Sequence, residues 1–336
     1  MSHNEATRPL FPPEIMLIIS SLAPEEYAGF PPTMVRSIEA TDIAANDPIH
    51  GIHLCVNATT VILTRPIGPM VCLSSFKSLT KLELTAPATL EGISAISSLT
   101  TLRIDGYRSP CSSITSGFYS PTELFPVPNS LGRIGSLYLK NCVAHLGSLA
   151  SLPSLVNLTM EDCHDRTTFT LPSLPRLQNL EMFNCGLSIN SSIEFPALTS
   201  ATLWDCDFPP NYLGKSPRLQ SLHLSGEPIY GFSIHVLPKM YAMRSLTLTY
   251  YNGNIESFKL LPNLEILRLT EWAKSMEPLT RFPSLVEIYI DYYEGPSLEP
   301  LGRIDGLQYV SIFKTPLGST LLEKLESRGI VVEIDL

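Results

Sequence analysis

Four cysteines recur at one spacing, Cys142, Cys163, Cys185 and Cys206, and each directly follows an amide or carboxylate residue: Asn141, Asp162, Asn184 and Asp205. Side chains repeated in this way line up as a column, and a column of thiols could bind metal or pair as disulfides. It could equally be a packing ladder, because neighbouring strands of a stack lie about 4.8 Å apart and a free cysteine behaves as a small hydrophobe. No Cys-x-x-Cys pair and no His-x-x-x-His spacing accompanies them, so the ladder is the expectation, with no metal or cofactor.

Nucleophilic chemistry is not indicated either. Cys163, His164 and Asp165 are consecutive, and consecutive residues of a strand or turn cannot face one another as a triad must. The seven histidines, His3, His50, His53, His145, His164, His223 and His235, are scattered. Gly-x-Gly-x-x-Gly, P-loop, His-Glu-x-x-His and Gly-x-Ser-x-Gly motifs are missing. The chain is therefore expected not to be an enzyme.

The spacing of the cysteines is set by a larger regularity. Apolar residues at Leu79, Leu99, Ile134, Leu155, Leu177, Leu198, Leu219, Met243, Leu264, Leu285 and Leu307 are each followed by apolar residues at +3 and +5, for example Leu158 and Met160 or Leu267 and Leu269. The interval is about 21 residues, and such a period is the mark of a solenoid. Within each unit, apolar +3 and +5 alternate with mostly polar +2, +4 and +6, the period of a strand with one face in a core. Val61 and Leu63 form an earlier, degenerate unit.

Pro153, Pro175, Pro196, Pro217, Pro262 and Pro283 each stand two residues ahead of a repeat start. Proline fixes its own φ and biases the preceding residue to extended backbone, so the chain is stiffened as it enters each strand. The remaining length leaves room for 3₁₀ or extended return segments and at most a brief helix. Near the C-terminus, Leu321 to Ser327 predicts a short helix ended by Gly329, followed by a last strand over Ile330 to Ile334.

These units resemble leucine-rich repeats, whose pattern Leu-x-x-Leu-x-Leu-x-x-Asn/Cys-x-Leu is met best by Ile134 to Cys142, Leu155 to Cys163, Leu177 to Cys185 and Leu198 to Cys206. The resemblance covers roughly residues 50 to 336. It implies an α/β solenoid: a leucine-rich-repeat horseshoe with short parallel strands on its concave face, a mostly 3₁₀ or extended convex face, and an N-terminal helical cap. Gly226, Tyr251, Trp272, Tyr293 and Thr315 stand near the Asn or Cys position of the later repeats, where a looser or differently packed turn is expected.

The expected domains are a helical cap over 1–48 and a solenoid over 49–336, with an insertion loop at 106–130 and a C-terminal cap at 318–336. The loop carries the steps Ser109-Pro and Ser120-Pro, which could accept phosphate, and lacks an apolar period. Net charge is -9 and charged residues are 16% of the chain, which speaks against a nucleic-acid partner needing a basic stripe. No secretory signal or bilayer-length apolar run is evident, and the seven cysteines are an odd number. A cytoplasmic or nuclear location is expected, with no membrane partner.

The N-terminal segment carries one further motif. Pro12, Pro13 and Glu14 suit a helix start, and Ile15, Ile18, Ile19 and Leu22 would share one helical face. The segment Leu10–Leu22 resembles the opening of an F-box. That resemblance implies docking, through Leu10, Pro12, Pro13, Glu14, Ile15, Ile18 and Leu22, on the linker subunit of a cullin-RING ubiquitin ligase, with the repeats holding a substrate. Without it, the same segment is a cap and the chain is a stand-alone scaffold, similar to phosphatase regulators built on the same repeats.

Under either reading, side chains at +2, +4 and +6 face a protein target. The candidate contacts are Glu161, Glu181, Phe183, Trp204 and His223 at mid-chain, and Arg268, Tyr289, Asp291 and Phe313 nearer the C-terminus, with Trp272 and Tyr292 beside the latter. Exposed aromatic rings next to a few charges are the usual content of interface anchors.

Overall fold

Each repeat opens on a tight turn whose closing N–H belongs to the repeat's first residue. Leu155 donates to the carbonyl of Leu152 at 3.1 Å, Leu177 to Leu174 at 3.2 Å and Leu264 to Leu261 at 3.3 Å. Pro153, Pro175 and Pro262 hold the second position of these turns, where their fixed φ is already correct. The prolines thus serve the turn that precedes the strand and leave the strand's own N–H groups for the ladder.

The computed structural model describes residues 16–19, 35–41, 56–66, 70–87, 90, 92–106, 131–142, 146–163, 172–185, 194–206, 213, 215–226, 240–250 and 261–335, with 88 and 89 excepted between the fourth and fifth spans. These fall into two units, Met1–Leu155 and Val156–Leu336. The first holds β1 (Met16–Ile19), β2 (Ser37–Thr41), β3 (Thr60–Thr64), β4 (Lys81–Thr85), β5 (Thr101–Asp105) and β6 (Ser136–Lys140), paired in parallel and in chain order. The second holds β7 (Asn157–Glu161), β8 (Asn179–Phe183), β9 (Ser200–Trp204), β10 (Ser221–Ser225), β11 (Ser245–Thr249), β12 (Ile266–Thr270), β13 (Glu287–Asp291), β14 (Tyr309–Phe313) and β15 (Val331–Asp335), again parallel and in order.

From β4 to β14, every strand runs from +2 to +6 of its repeat, and the residues at +3 and +5 are buried throughout: Leu158, Met160, Leu180 and Met182 are each 0% exposed. The register aligns identical positions, Leu158 with Leu180 and Met160 with Met182, so the core is a stack of aliphatic rows. Burying each such side chain contributes about 1.5 to 3 kcal/mol. Among the described residues, the return segments include the 3₁₀ turns Val71–Ser75, Leu146–Ser151, Glu277–Arg281 and Glu299–Arg303, which fit the short interval.

A feature the sequence reading did not isolate follows each strand. The +7 residue is left-handed in repeat after repeat: Ala86, Asn141, Asp162, Asn184, Asp205, Tyr250, Glu271, Tyr292 and Lys314 have φ between 43° and 55°. That twist aims its N–H at the +6 carbonyl of the next strand, as Asn184 does to Trp204 at 2.7 Å and Glu271 to Asp291 at 2.8 Å. Asn and Asp tolerate this conformation, which explains their place before the cysteines. Tyr250, Glu271, Tyr292 and Lys314 keep the same turn in later repeats, whereas Gly226 departs from it, at φ 145° with its N–H 3.4 Å from the Thr249 carbonyl, and Trp272 and Thr315 replace cysteine in the packing at +8; Tyr251 lies outside the described residues.

The N-terminal reading needs correction. Met16–Ile19, expected within an amphipathic helix, forms β1, with Ile18 opposite Glu39 of β2. Two adjacent isoleucines favour extended backbone, and pairing with β2 satisfies their peptide groups in a way an isolated helical turn could not. Leu10, Pro12, Pro13, Glu14, Ile15 and Leu22 lie outside the described residues, as do 107–130 of the insertion.

At the other end, α1 (Ser319–Ser327) and β15 stand where a helix and strand were expected. Gly329 at φ 73° closes the helix, its N–H bonding to Glu326 at 2.8 Å while Ile330 bonds to Leu325 at 3.1 Å. The Arg328 guanidinium ties this end to the preceding coil through the carbonyls of Gly302 and Ile304 at 2.7 and 2.8 Å.

Candidate functional site

All nine candidate contact residues lie in the second unit, on the sheet face opposite the buried rows. At its first end, Thr159 donates to Glu181 at 3.1 Å, and the register sets Glu161, Phe183 and Trp204 side by side across β7, β8 and β9. Trp204 is 38% exposed. Its ring meets His223 edge-on, centroids 5.7 Å apart, and His223 in turn lies 3.4 Å from the Thr249 hydroxyl. Burial holds the His223 imidazole below its ordinary range, so it stays neutral near pH 7.

The second group is more tightly built. Arg268 lies over the Tyr289 ring at 4.3 Å, and that ring packs on Tyr309 at 5.4 Å. Tyr289 donates to Glu287 at 3.0 Å and Tyr309 donates to Glu333. Burial first and the Glu287 bond second push the Tyr289 hydroxyl up, while the Glu333 bond does the same for Tyr309, so both remain neutral donors. Phe313 meets Tyr292 at 5.8 Å, and the Lys314 ammonium sits over both rings and donates to the Tyr292 hydroxyl at 2.8 Å. Asp291 accepts from Thr270 at 3.4 Å.

The structure thus sets Glu161, Phe183, Trp204 and His223 along one stretch of the face, joins Arg268 and Tyr289 with Tyr309, and joins Phe313 with Tyr292 and Lys314. Between them lies a floor of short hydroxyl residues, including Ser245 and Thr247 of β11. Two corrections apply. Trp272 is 0% exposed and belongs to the core, where its indole takes the +8 place that cysteines fill elsewhere. Ser225 and Thr249, at +6, are buried at 8% and 9% and not open like the rest of their column. Sequence reasoning also missed Tyr309, Glu287 and Glu333, which complete the tyrosine group, and Tyr250, 43% exposed at +7. Glu287 and Tyr309 stand at +2, a position named as facing the target but not read residue by residue, Tyr250 stands at +7, and Glu333 lies in the last strand opposite Ser311.

The first unit carries a smaller version of the same arrangement, with Arg103 over Tyr138 at 4.0 Å. On the other side of the strands, Cys142, Cys163, Cys185 and Cys206 are buried free thiols. Each donates to the carbonyl of its own +6 residue, for instance Cys185 to Phe183 at 3.2 Å and Cys206 to Trp204 at 3.2 Å. Thr315 fills the same role with its hydroxyl, 3.1 Å from the Phe313 carbonyl. The neighbouring thiols Cys163 and Cys206, and burial, push the Cys185 thiol well up, so it is protonated. These are the contacts of a packing ladder. Among the described residues, no three His, Cys, Asp or Glu side chains are grouped to hold a metal, and no helix is long and apolar enough to cross a membrane.

No protein-family model and no curated protein matches the chain. Among solved structures, a chain of the mouse RP105/MD-1 complex aligns with 87% of this chain and 53% of its own length, at 16% identity and a TM-score of 0.56. This chain spans about half of that neighbour. An internalin from Listeria monocytogenes aligns over 84% of this chain and 79% of its own, at 13% identity and a TM-score of 0.44. A leucine-rich-repeat protein of Leptospira interrogans aligns over 90% of each chain, at 13% identity and a TM-score of 0.42. Identities this low speak to fold alone. With its parallel one-strand repeats, buried +3 and +5 rows and left-handed +7 turns, the chain has the leucine-rich-repeat fold.

Proposed function

We propose that this chain is a non-catalytic protein-binding module that holds its partner on the +2, +4 and +6 face of the second unit. The observation that carries the reading is the Arg268, Tyr289 and Tyr309 row. Three large side chains, drawn from three strands, are fixed by ring contacts and by Glu287 and Glu333 before any partner arrives. Side chains already ordered lose less freedom on binding, and Tyr and Arg are the residues from which interface hot spots are made.

Of the two settings expected from the sequence, the stand-alone scaffold is the better supported. A ligase substrate receptor needs Leu10–Leu22 as a docking segment, and β1 commits Met16–Ile19 of that stretch to the sheet. The partner we propose is a protein, and no ubiquitin-ligase role is needed to account for the face.

A photo-crosslinking amino acid at Ser311, on this face, tests the reading in cells. It is expected to trap a discrete protein partner that the same group at Glu299, on the 3₁₀ side, does not trap. Equal trapping from both positions, or none from Ser311, overturns it.

A further inference from the structure

We propose that His223 is an acid-sensitive latch on Trp204: the neutral ring leaves the indole face open to the protein partner, and the protonated ring draws that face onto itself. What the latch controls rests on the binding reading above, but the latch is a property of this chain alone. Trp204 stands at +6 of β9 and His223 at +4 of β10, diagonal neighbours with ring centroids 5.7 Å apart. Their planes cross at 69°, so the rings do not stack, and Trp204 remains 38% exposed.

The imidazole is also held from β11. Its Nε2 lies 3.4 Å from the hydroxyl of Thr249, a residue itself buried. A neutral ring has one N–H, whereas a protonated ring has two and no acceptor, so Nε2–H then donates to the Thr249 oxygen and the ring keeps its place beside the indole. Burial keeps the proton off until the pH falls below the ordinary histidine range, so the latch is open near neutral pH.

The surroundings make this proton the charge that matters. The adjacent strands present Ser200, Thr202 and Trp204 from β9 and Ser245, Thr247 and Thr249 from β11, and β10 adds Ser221 and Ser225; none of them ionises in this range. Glu181 of β8 and Arg268 of β12 share the +4 row two strands away on opposite sides, so their opposite charges largely offset. Asp205 and Tyr250 belong to the turns that follow β9 and β11. A cation formed at His223 is drawn to the electron-rich face of the ring beside it, and indole holds a cation best. The face that turns to meet it is lost to a partner.

The test follows quenching of tryptophan fluorescence by acrylamide as the full chain is titrated from about pH 8 to about pH 5, with circular dichroism recorded alongside to show that the sheet is kept. Trp272 is buried, and a Trp204→Phe chain supplies its background. A one-proton transition below about pH 6.5 is expected, across which Trp204 becomes about twofold less accessible. His223→Gln, which keeps a hydrogen-bonding group and takes up no proton here, should remove it. Thr249→Val, which deletes the oxygen that accepts from the charged ring, should move the midpoint to lower pH. No transition, one that persists in His223→Gln, or accessibility that rises on acidification overturns the latch. Trapping of the partner from Ser311 should fall by about threefold below the transition and stay level in His223→Gln; trapping that is level in both chains overturns the latch as a control of binding. If Ser311 traps nothing at neutral pH, the binding reading falls, and the fluorescence titration still decides whether His223 moves Trp204.

Discussion

The guanidinium of Arg268 lies over the ring of Tyr289, one strand away in register, with Cζ 4.3 Å from the ring centroid. Neither residue is part of the core, and both are half-buried by contact with each other and with Tyr309. The pair should stabilise the fold by about 0.5 to 1 kcal/mol. A double-mutant cycle of Arg268→Ala and Tyr289→Leu, read by chemical denaturation, is expected to return a coupling of that size; strict additivity would mean the contact contributes nothing.

The left-handed turns give opposite predictions at two positions. Ala86 holds φ 48° with a Cβ, so Ala86→Gly should raise stability by up to about 1 kcal/mol. Gly226 holds φ 145° with the Asp205 carboxylate where a Cβ would go, so Gly226→Ala should lower it. Melting temperatures of the two variants should move apart; a shift in the same direction would contradict the steric account of these turns.

His223 predicts a pH effect on stability. Its folded pKa lies below the unfolded value, so on acidification the unfolded chain takes up a proton that the folded chain resists. Stability is full above the unfolded histidine range and falls as pH drops from there toward the folded pKa. His223→Asn should flatten the denaturation midpoint across that interval relative to wild type, and an unchanged slope would argue against burial of a neutral imidazole.

The thiol ladder predicts chemical silence. Cys142, Cys163, Cys185 and Cys206 are buried, and the Cys185 thiol is raised, so an aromatic disulfide reagent should not label them in the folded protein even where free thiols ionise. In a chain with Cys55, Cys72 and Cys111 replaced by serine, labelling should wait for denaturant. Linkage adds a sign: a raised thiol pKa gives stability that is complete below the ordinary thiol pKa and is lost as pH rises above it.

What could be read in advance was whatever repeats. The +3 and +5 leucines announced strands and their faces because burial acts on each in the same way, and the Asn or Asp before each cysteine carried the turn, although its left-handed backbone went unremarked. Lys314 and Glu271 adopt that turn against their own preference because the +6 carbonyl of the next strand needs their N–H. The Met16–Ile19 segment was misread because a few aliphatics fit a helical face and a strand equally well until a neighbour such as β2 is known. Tyr309 and Glu333 were missed for a related reason: their roles depend on contact with Tyr289 and with each other across strands, which single-column reading does not display.

The direct measurement of partner binding is quantitative co-purification with the full chain carrying Arg268→Glu and Tyr289→Ala, beside a chain carrying Arg303→Ala on the opposite side. Loss of the crosslinked partner, by about tenfold or more, from the first variant alone is expected if the strand face is the binding surface. Retention by that variant, or equal loss from Arg303→Ala, would contradict it.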